Sequence, residues 1–335
     1  MCSPELQQLN SVMQNMQEKK RNNPSSKCSM PALPILSYVY RDHLPVETDL
    51  FKDIKTSLKD TTINFYNRYS LTEPKSEAFN TANGLWCEYI YGATSWNKLA
   101  EINRNTRSGY YYVYVKLPKN TGPRHIWTNL LDSSVKNVID SFNKDSTNQL
   151  ISNSGHTGFI LFSSNADSMI FKYKKEKLVK LNVLDIVTEN IHNLNPRSIQ
   201  IMDGMFNLLR HSAMPSENLV AFLSVKSTLR PDRRYQFVHE GDSAKATLMF
   251  VAARGADPGL AQVSVTKYLQ NRVFAVSFGG VKNVDLRMAN IAMSACVSSP
   301  LMDPVWAVDK LYDCQSIDNA SSSISEIINF STSSQ

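Results

Sequence analysis

The sequence predicts an α/β protein with a central β-sheet flanked by helices. Three observations carry this expectation. Leu219-Val-Ala-Phe-Leu-Ser-Val225 is an apolar, β-branched run with the length of a buried strand. Tyr110-Tyr-Tyr-Val-Tyr-Val-Lys-Leu117, closed by Pro118, has the aromatic and β-branched composition of another. Between and around these runs lie longer stretches with helical spacing, the first of them capped by Ser3-Pro4-Glu5 and striped by Leu6, Leu9, Val12, Met13 and Met16.

Composition bounds the class. The 335 residues suffice to bury a full core, and 20% charged against 42% hydrophobic residues is an ordinary globular balance. A net charge of +6 permits a polyanionic partner without demanding one. Cys2, Cys28, Cys87, Cys296 and Cys314 are scattered with no Cys-x-x-Cys, which argues against a disulfide framework or a zinc site and points to a reducing cytoplasm. The histidines show no ligand spacing. No run approaches the roughly 18 apolar residues that span a bilayer, and the N-terminus lacks the layout of a secretory signal.

Taken in order, residues 22–34 read as a loop rich in Asn, Ser and Pro, and residues 49–69 as a second helix. Thr81 to Asn97 reads as a mostly buried helix with Leu85, Tyr89 and Ile90 inward. Glu88 within it is either an exposed helix glutamate or a buried carboxylate that needs a cation or metal. Residues 132–142 read as helix. Gly158 to Tyr173 reads as a strand, a tight turn at Ser163-Ser-Asn-Ala166 and a second strand opening at Asp167. If that strand pairs with the one ending at Lys226, Asp167 and Lys226 stand side by side, and residues 183–209 supply a helical insertion between them. Arg272 to Phe278 is a further strand, with Gly279-Gly280 as a turn rather than a phosphate cradle. Residues 303–311 and 321–330 look like closing helices, and 331–335 like a frayed tail.

The chemistry concentrates after the buried strand 219–225, which delivers Lys226 at its end. Arg230-Pro231-Asp232 opens a helix, because proline suits the first turn and an acid there complements the helix dipole. Arg233, Gln236 and Glu240 are spaced three and four apart and share one face of that helix. One short segment thus presents a lysine, a forked cation, an amide and a carboxylate, a mixture suited to cutting a phosphodiester in a chosen sequence. A solvated, charged helix is the plainer alternative, although a surface helix normally intersperses its charges, whereas residues 230–234 hold three arginines and an aspartate.

Ser224-Val-Lys-Ser-Thr-Leu-Arg-Pro-Asp-Arg-Arg-x-Gln-x-x-His-Glu-Gly241 closely resembles the signature of the CCGG-family type II restriction endonucleases, a branch of the PD-(D/E)XK nucleases. Ser-Asn-x-Asp at 164–167 looks like that family's aspartate element, and Asn83-Gly-x-Trp-x-Glu88 like its upstream glutamate element. Asp303-Pro-x-x-Ala-Val-Asp-Lys310 is similar to the family's C-terminal helices. The resemblance runs from about residue 80 to near the end, so residues 81–330 are expected to form the catalytic and DNA-recognition domain. Residues 1–80 are expected to form an N-terminal helical region, either separate or part of the same domain. Two positions depart from the pattern. Ala166 replaces the usual proline before the aspartate, and Ser224 stands where most PD-(D/E)XK nucleases carry the second acid, so that Glu240 supplies the carboxylate from the helix.

The resemblance implies a restriction-endonuclease-like (PD-(D/E)XK) fold with a central mixed β-sheet, a bacterial cytoplasmic home within a restriction-modification system, and Mg2+-assisted phosphodiester hydrolysis. Asp167 and Glu240 would hold Mg2+, with Glu88 tuning or completing the site, and Lys226 would orient the attacking water. Arg230 and Arg233 can fork onto guanine while Asp232 accepts from cytosine. Arg234, Ser224 and Gln236 are secondary candidates, Arg234 either holding a phosphate or bracing the helix. The expected substrate is double-stranded DNA with a CCGG core inside a longer palindrome, cut to leave 5′ overhangs by a homodimer, with dimers pairing into tetramers as a further expectation. The alternatives are a CCNGG-type or other specificity, or a non-catalytic sequence-specific DNA-binding protein. Three separate acids beside a polyanion argue against the last.

Overall fold

The computed structural model describes residues 3–25, 29–119, 126–141, 166–210, 212–253, 269–291 and 305–333. Helix α1 (Pro4–Asn22) starts where the Ser3 side chain accepts a hydrogen bond from the Leu6 amide. Helix α2 (Ala32–Val39) lies partly in a stretch expected to be loop. Its Pro34 falls in the first turn, where no amide is needed, and burial of Ala32, Ile35 and Leu36 outweighs the local signal. Helices α3 (Phe51–Arg68) and α4 (Ser76–Asn105) follow, then strand β1 (Tyr110–Lys116) and helix α5 (133–141), opened by Asp132 accepting from the Ser134 amide.

Strand β2 (Ser168–Lys174) leads into helices α6 (Lys175–Lys180), α7 (Leu184–Thr188) and α8 (Pro196–Leu209), the last capped by the Asn195 side chain. Strand β3 (Leu219–Lys226) precedes α9 (Pro231–Ala253), β4 (Val273–Ser277), α10 (Asn283–Ala289), β5 (Lys310–Asp313) and α11 (Ile317–Ser333). The strand expected at 158–162, and the turn residues 163–165, lie outside the described residues.

The five strands form one mixed sheet in the order β1-β2-β3-β4-β5. The first three run antiparallel, with Lys116 opposite Ser168 and Ser168 opposite Leu223, and β3, β4 and β5 run parallel. Each of the eight residues of β3 is buried, as expected of a strand covered on both faces. This arrangement sets the end of β1, the start of β2 and the end of β3 along one edge of the sheet, so the residues that close or open those strands converge.

Two expectations near the C-terminus are corrected. Of the helix expected at 303–311, residues 303–304 lie outside the described residues and 305–311 are not helical: a bent segment leads into β5, which pairs with β4 from Phe274 to Ser277. Asp309 fixes it there, accepting from the Arg272 and Val273 amides, both at 2.8 Å, and from the buried Lys245 ammonium at 2.7 Å. Those bonds to the chain entering β4 decide against helix. The tail from Ser331 is likewise no frayed end at first, because α11 continues to Ser333.

One apolar core joins the sheet to the N-terminal helices, with Leu9, Met13, Ile35, Phe51 and Leu58 in the same cluster as Val113, Phe171, Phe222 and Val276. The Phe51 and Phe278 rings stack with centroids 3.9 Å apart, and the Trp86 indole donates to the Ala32 carbonyl at 2.8 Å. No helix among the described residues is long and apolar enough to cross a membrane.

Candidate active site

The buried strand β3 carries Ser224 and Lys226, which, two residues apart, point to the same face of the sheet. Asp167 is placed against them by the backbone on both sides. Its amide donates to the Leu223 carbonyl at 3.0 Å, and its carbonyl accepts from the Leu117 amide at 3.1 Å. Its carboxylate accepts from the Val225 amide at 2.6 Å and from Lys226 Nζ at 3.2 Å. The inferred pairing of these two strands is therefore the one observed, and Asp167 and Lys226 touch.

Helix α9 brings the third group. Lys226 Nζ donates to Glu240 Oε1 at 3.3 Å and to Oε2 at 3.4 Å, and the Ser224 hydroxyl donates to Oε2. The serine that occupies a position where an acid would be usual thus holds an acid sent in from the helix. The next residue explains how the helix comes so close. A side chain on Gly241 would lie 2.2 Å from the Ala307 carbonyl oxygen, an impossible approach, so only glycine lets α9 settle against the segment leading to β5.

Electrostatics follow from this burial. Burial alone pulls the Lys226 pKa down, but the charges and hydrogen bonds of Asp167 and Glu240 outweigh it and hold the ammonium above its ordinary value. Glu240 is raised by burial and by the nearby Asp167 charge, against the opposing pull of Lys226 and Ser224. The result is a lysine kept charged between two carboxylates.

Glu88 stands beside this group on α4, half-buried rather than free in solvent. Its carboxyl is pushed up to about 7, first by burial and next by the like charge of Asp167, with Lys116 and Lys226 opposing. Lys116 Nζ lies 4.0 Å from Glu88 and 3.7 Å from Asp203 on α8, and sits over the Tyr89 ring at 4.6 Å. The Tyr89 hydroxyl in turn donates to the Asp203 carboxylate at 2.7 Å. Sequence reasoning missed Lys116 and Asp203. Lys116 carried the same signal as Lys226, a cation closing a buried strand, whereas nothing in the spacing marked Asp203.

The other sequence candidates lie at the start of α9. Arg230 and Asp232 are exposed and Arg233 is partly so, and Asp232 sits between the two arginines, 3.4 Å from Arg230 and 3.8 Å from Arg233. Arg233 donates to the Gln236 side chain at 2.9 Å. The shared face of Arg233, Gln236 and Glu240 therefore begins in solvent and ends inside the protein. Arg234 points elsewhere, pairing with the buried Asp285 of α10.

The donor set suits a hard divalent cation. Asp167 and Glu240 offer carboxylate oxygens around one lysine, and Mg2+ characteristically takes one or two carboxylates and keeps several waters. Among the described residues no group of three or more acids, histidines or cysteines is gathered as a ready-made metal cage.

Comparison with known proteins bears on this arrangement. The family model described as Cfr10I/Bse634I restriction endonuclease matches residues 14–330. The chain is 23% identical over 303 residues to the type II restriction enzyme Cfr10I of Citrobacter freundii, covering 86% of this chain and 91% of that protein. Its fold is similar to the crystal structure of the type IIF restriction endonuclease Bse634I with cognate DNA, with a TM-score of 0.75, 21% identity and coverage of 91% of this chain and 95% of that one. A second Bse634I structure gives a TM-score of 0.73 over 91% and 94% of the two chains.

Proposed function

The chain belongs to the Cfr10I/Bse634I restriction endonuclease family, and on that premise we propose that it cuts both strands of DNA at a palindrome with a CCGG core, using Mg2+ and leaving 5′ overhangs. The observation that carries the catalytic part is the single lysine, Lys226, hydrogen-bonded to Asp167 and to Glu240 at the end of a fully buried strand. A charged lysine between two acids is costly to bury, and such an arrangement is commoner at functional sites than elsewhere.

In this reading Asp167 and Glu240 would hold the cation, and Glu88, which feels the charge of Asp167, would tune it. When bound, Mg2+ supplies Lewis-acid polarisation of the scissile phosphate and an activated water. Ser224 fixes the rotamer of Glu240, and the Val225 amide fixes that of Asp167. Lys226, held charged, orients the attacking water and offsets negative charge building on the phosphate. Asp167 and Lys226 come from neighbouring strands, and Glu240 from the helix that follows.

Arg230 and Arg233 are assigned to fork onto guanine O6 and N7 in the major groove, and Asp232 to accept from cytosine N4, each good bidentate pair contributing about 1–3 kcal/mol of discrimination. Their exposure and their mutual pairing through Asp232 leave them presentable to a groove. A palindrome read by one such helix per chain calls for a two-fold symmetric homodimer, with pairs of dimers engaging two sites, in a bacterial cytoplasm.

Digestion of a plasmid of known sequence with Mg2+, followed by sequencing of the ends, tests the reading directly. Cuts at CCGG palindromes with 5′ overhangs are expected, and cuts at CCNGG or elsewhere would replace the specificity. Asp167→Ala and Lys226→Ala are expected to bind the site without cutting it; normal cutting by either would remove these residues from the catalytic role.

A further inference from the structure

Of the five residues from Arg230 to Arg234, four face solvent or one another, and one turns inward. Arg234 Nε donates to Asp285 Oδ1, and Asp285 is only 1% exposed. The other oxygen of Asp285 accepts from the Lys282 amide at 2.7 Å, closing the first turn of α10. A buried carboxylate with both oxygens committed, one to an arginine on another helix, is a rigid joint.

The joint is also tied to the candidate catalytic strand. The Phe278 amide donates to the Lys226 carbonyl at 3.1 Å. A side chain on Gly279 would come within 3.0 Å of the Ser227 carbonyl oxygen and 3.2 Å of Thr228 Cα, so the turn rests directly on the link between Lys226 and α9. Gly280 then takes φ of +82°, a conformation natural only to glycine, and directs the chain to Lys282 and Asp285. One short segment, 278–285, therefore touches Lys226, the link after it and the first turn of α9.

We propose that Arg234 and Asp285 are positioning residues for sequence discrimination: their buried pair fixes the first turn of α9, and with it Arg230, Asp232 and Arg233, at a set height above Lys226. The proposal rests on the assignment of base readout to those three residues. Arg234, whose Nε is committed to Asp285, acts in this proposal by bracing the helix and not by reading a base.

The test measures dissociation constants, at several salt concentrations and with Ca2+ in place of Mg2+, for a duplex with a CCGG core and one with a single core pair replaced. The variants are Arg234→Met, Asp285→Asn, the two combined, and Arg233→Ala as reference. Each single variant is expected to lower the ratio of the two constants about tenfold, the scale of one well-placed base contact. The double variant should fall no further, affinity for the altered duplex should hold, and the salt dependence should keep its slope. Arg234→Lys, which keeps the charge but not the planar fork, is expected to give an intermediate ratio and serves if the other variants do not fold. An unchanged ratio in folded variants overturns the proposal. Equal weakening on both duplexes with a shallower salt dependence overturns it too, and makes Arg234 a phosphate contact. If Arg233→Ala itself keeps full discrimination, the assignment of readout to α9 fails first, and the proposal falls with it.

Discussion

Lys226 Nζ stands 3.3 Å from Glu240 Oε1, and the two side chains are 4% and 3% exposed. The pair joins the end of β3 to the third turn of α9, with Asp167 as a second acceptor on the same ammonium. Removing the cation would leave the buried Glu240 carboxylate uncompensated, beside the partly exposed Asp167. Lys226→Met is therefore expected to cost on the order of 3–5 kcal/mol of stability at pH 8. The loss should shrink at pH 5, where Glu240, already raised by burial, takes up a proton more readily. Urea unfolding at the two pH values measures this, and an equal loss at both would mean that Glu240 is not the group left uncompensated.

Gly241 offers a contest between two effects of known sign. Alanine in a helix interior is favoured over glycine by about 1 kcal/mol, whereas a side chain here would collide with the Ala307 carbonyl. The collision should win, with Gly241→Ala losing about 1–3 kcal/mol and most cleavage activity, since Glu240 moves with the helix. A melting temperature equal to or above that of the parent would show that α9 does not pack against residue 307.

Glu88 predicts a pH dependence. Its folded pKa of about 7 lies above the ordinary glutamate value of 4.5, so the folded state holds a proton that the unfolded state has released. Its contribution to stability is full below pH 4.5 and is lost as pH rises to about 7. Glu88→Gln, which mimics the protonated form, should flatten the fall in unfolding free energy across that window. A variant with the same slope as the parent would assign it to other groups.

Cys87 and Cys314 are buried, and burial pushes both thiols up to about 12. With Cys2, Cys28 and Cys296 replaced by serine, the native protein should react with an aromatic disulfide reagent at pH 8 only as fast as it unfolds, because the thiolate is the reactive form. Rapid modification without denaturant would place either thiol at the surface.

How far these relationships were legible in the sequence depends on how local their causes are. The buried run of β3, the proline and acid that open α9 and the Ser3 cap are written in neighbouring residues, and they form as read. Pairing of β2 with β3 stood in the sequence only as a condition, and its fulfilment sets Asp167 beside Lys226. What stayed hidden depends on distant partners. Residues 305–309 resemble a helix start until Asp309 reaches the amides of Arg272 and Val273. Asp203 looks like any helix aspartate until Lys116 and Tyr89 converge on it. Arg234 belongs to a run of charges whose other members face outward, and only the fold supplies Asp285.

The proposed cutting centre is spread along the chain, with Glu88, Asp167, Lys226 and Glu240 drawn from α4, the entry to β2, β3 and α9, and Gly241 admitting the last of them only against Ala307. A growing chain has no seat for α9 until Ala307 has left the ribosome. The proposed cutting would therefore stay silent while residues up to 307 are being made, however early its acids and its lysine emerge.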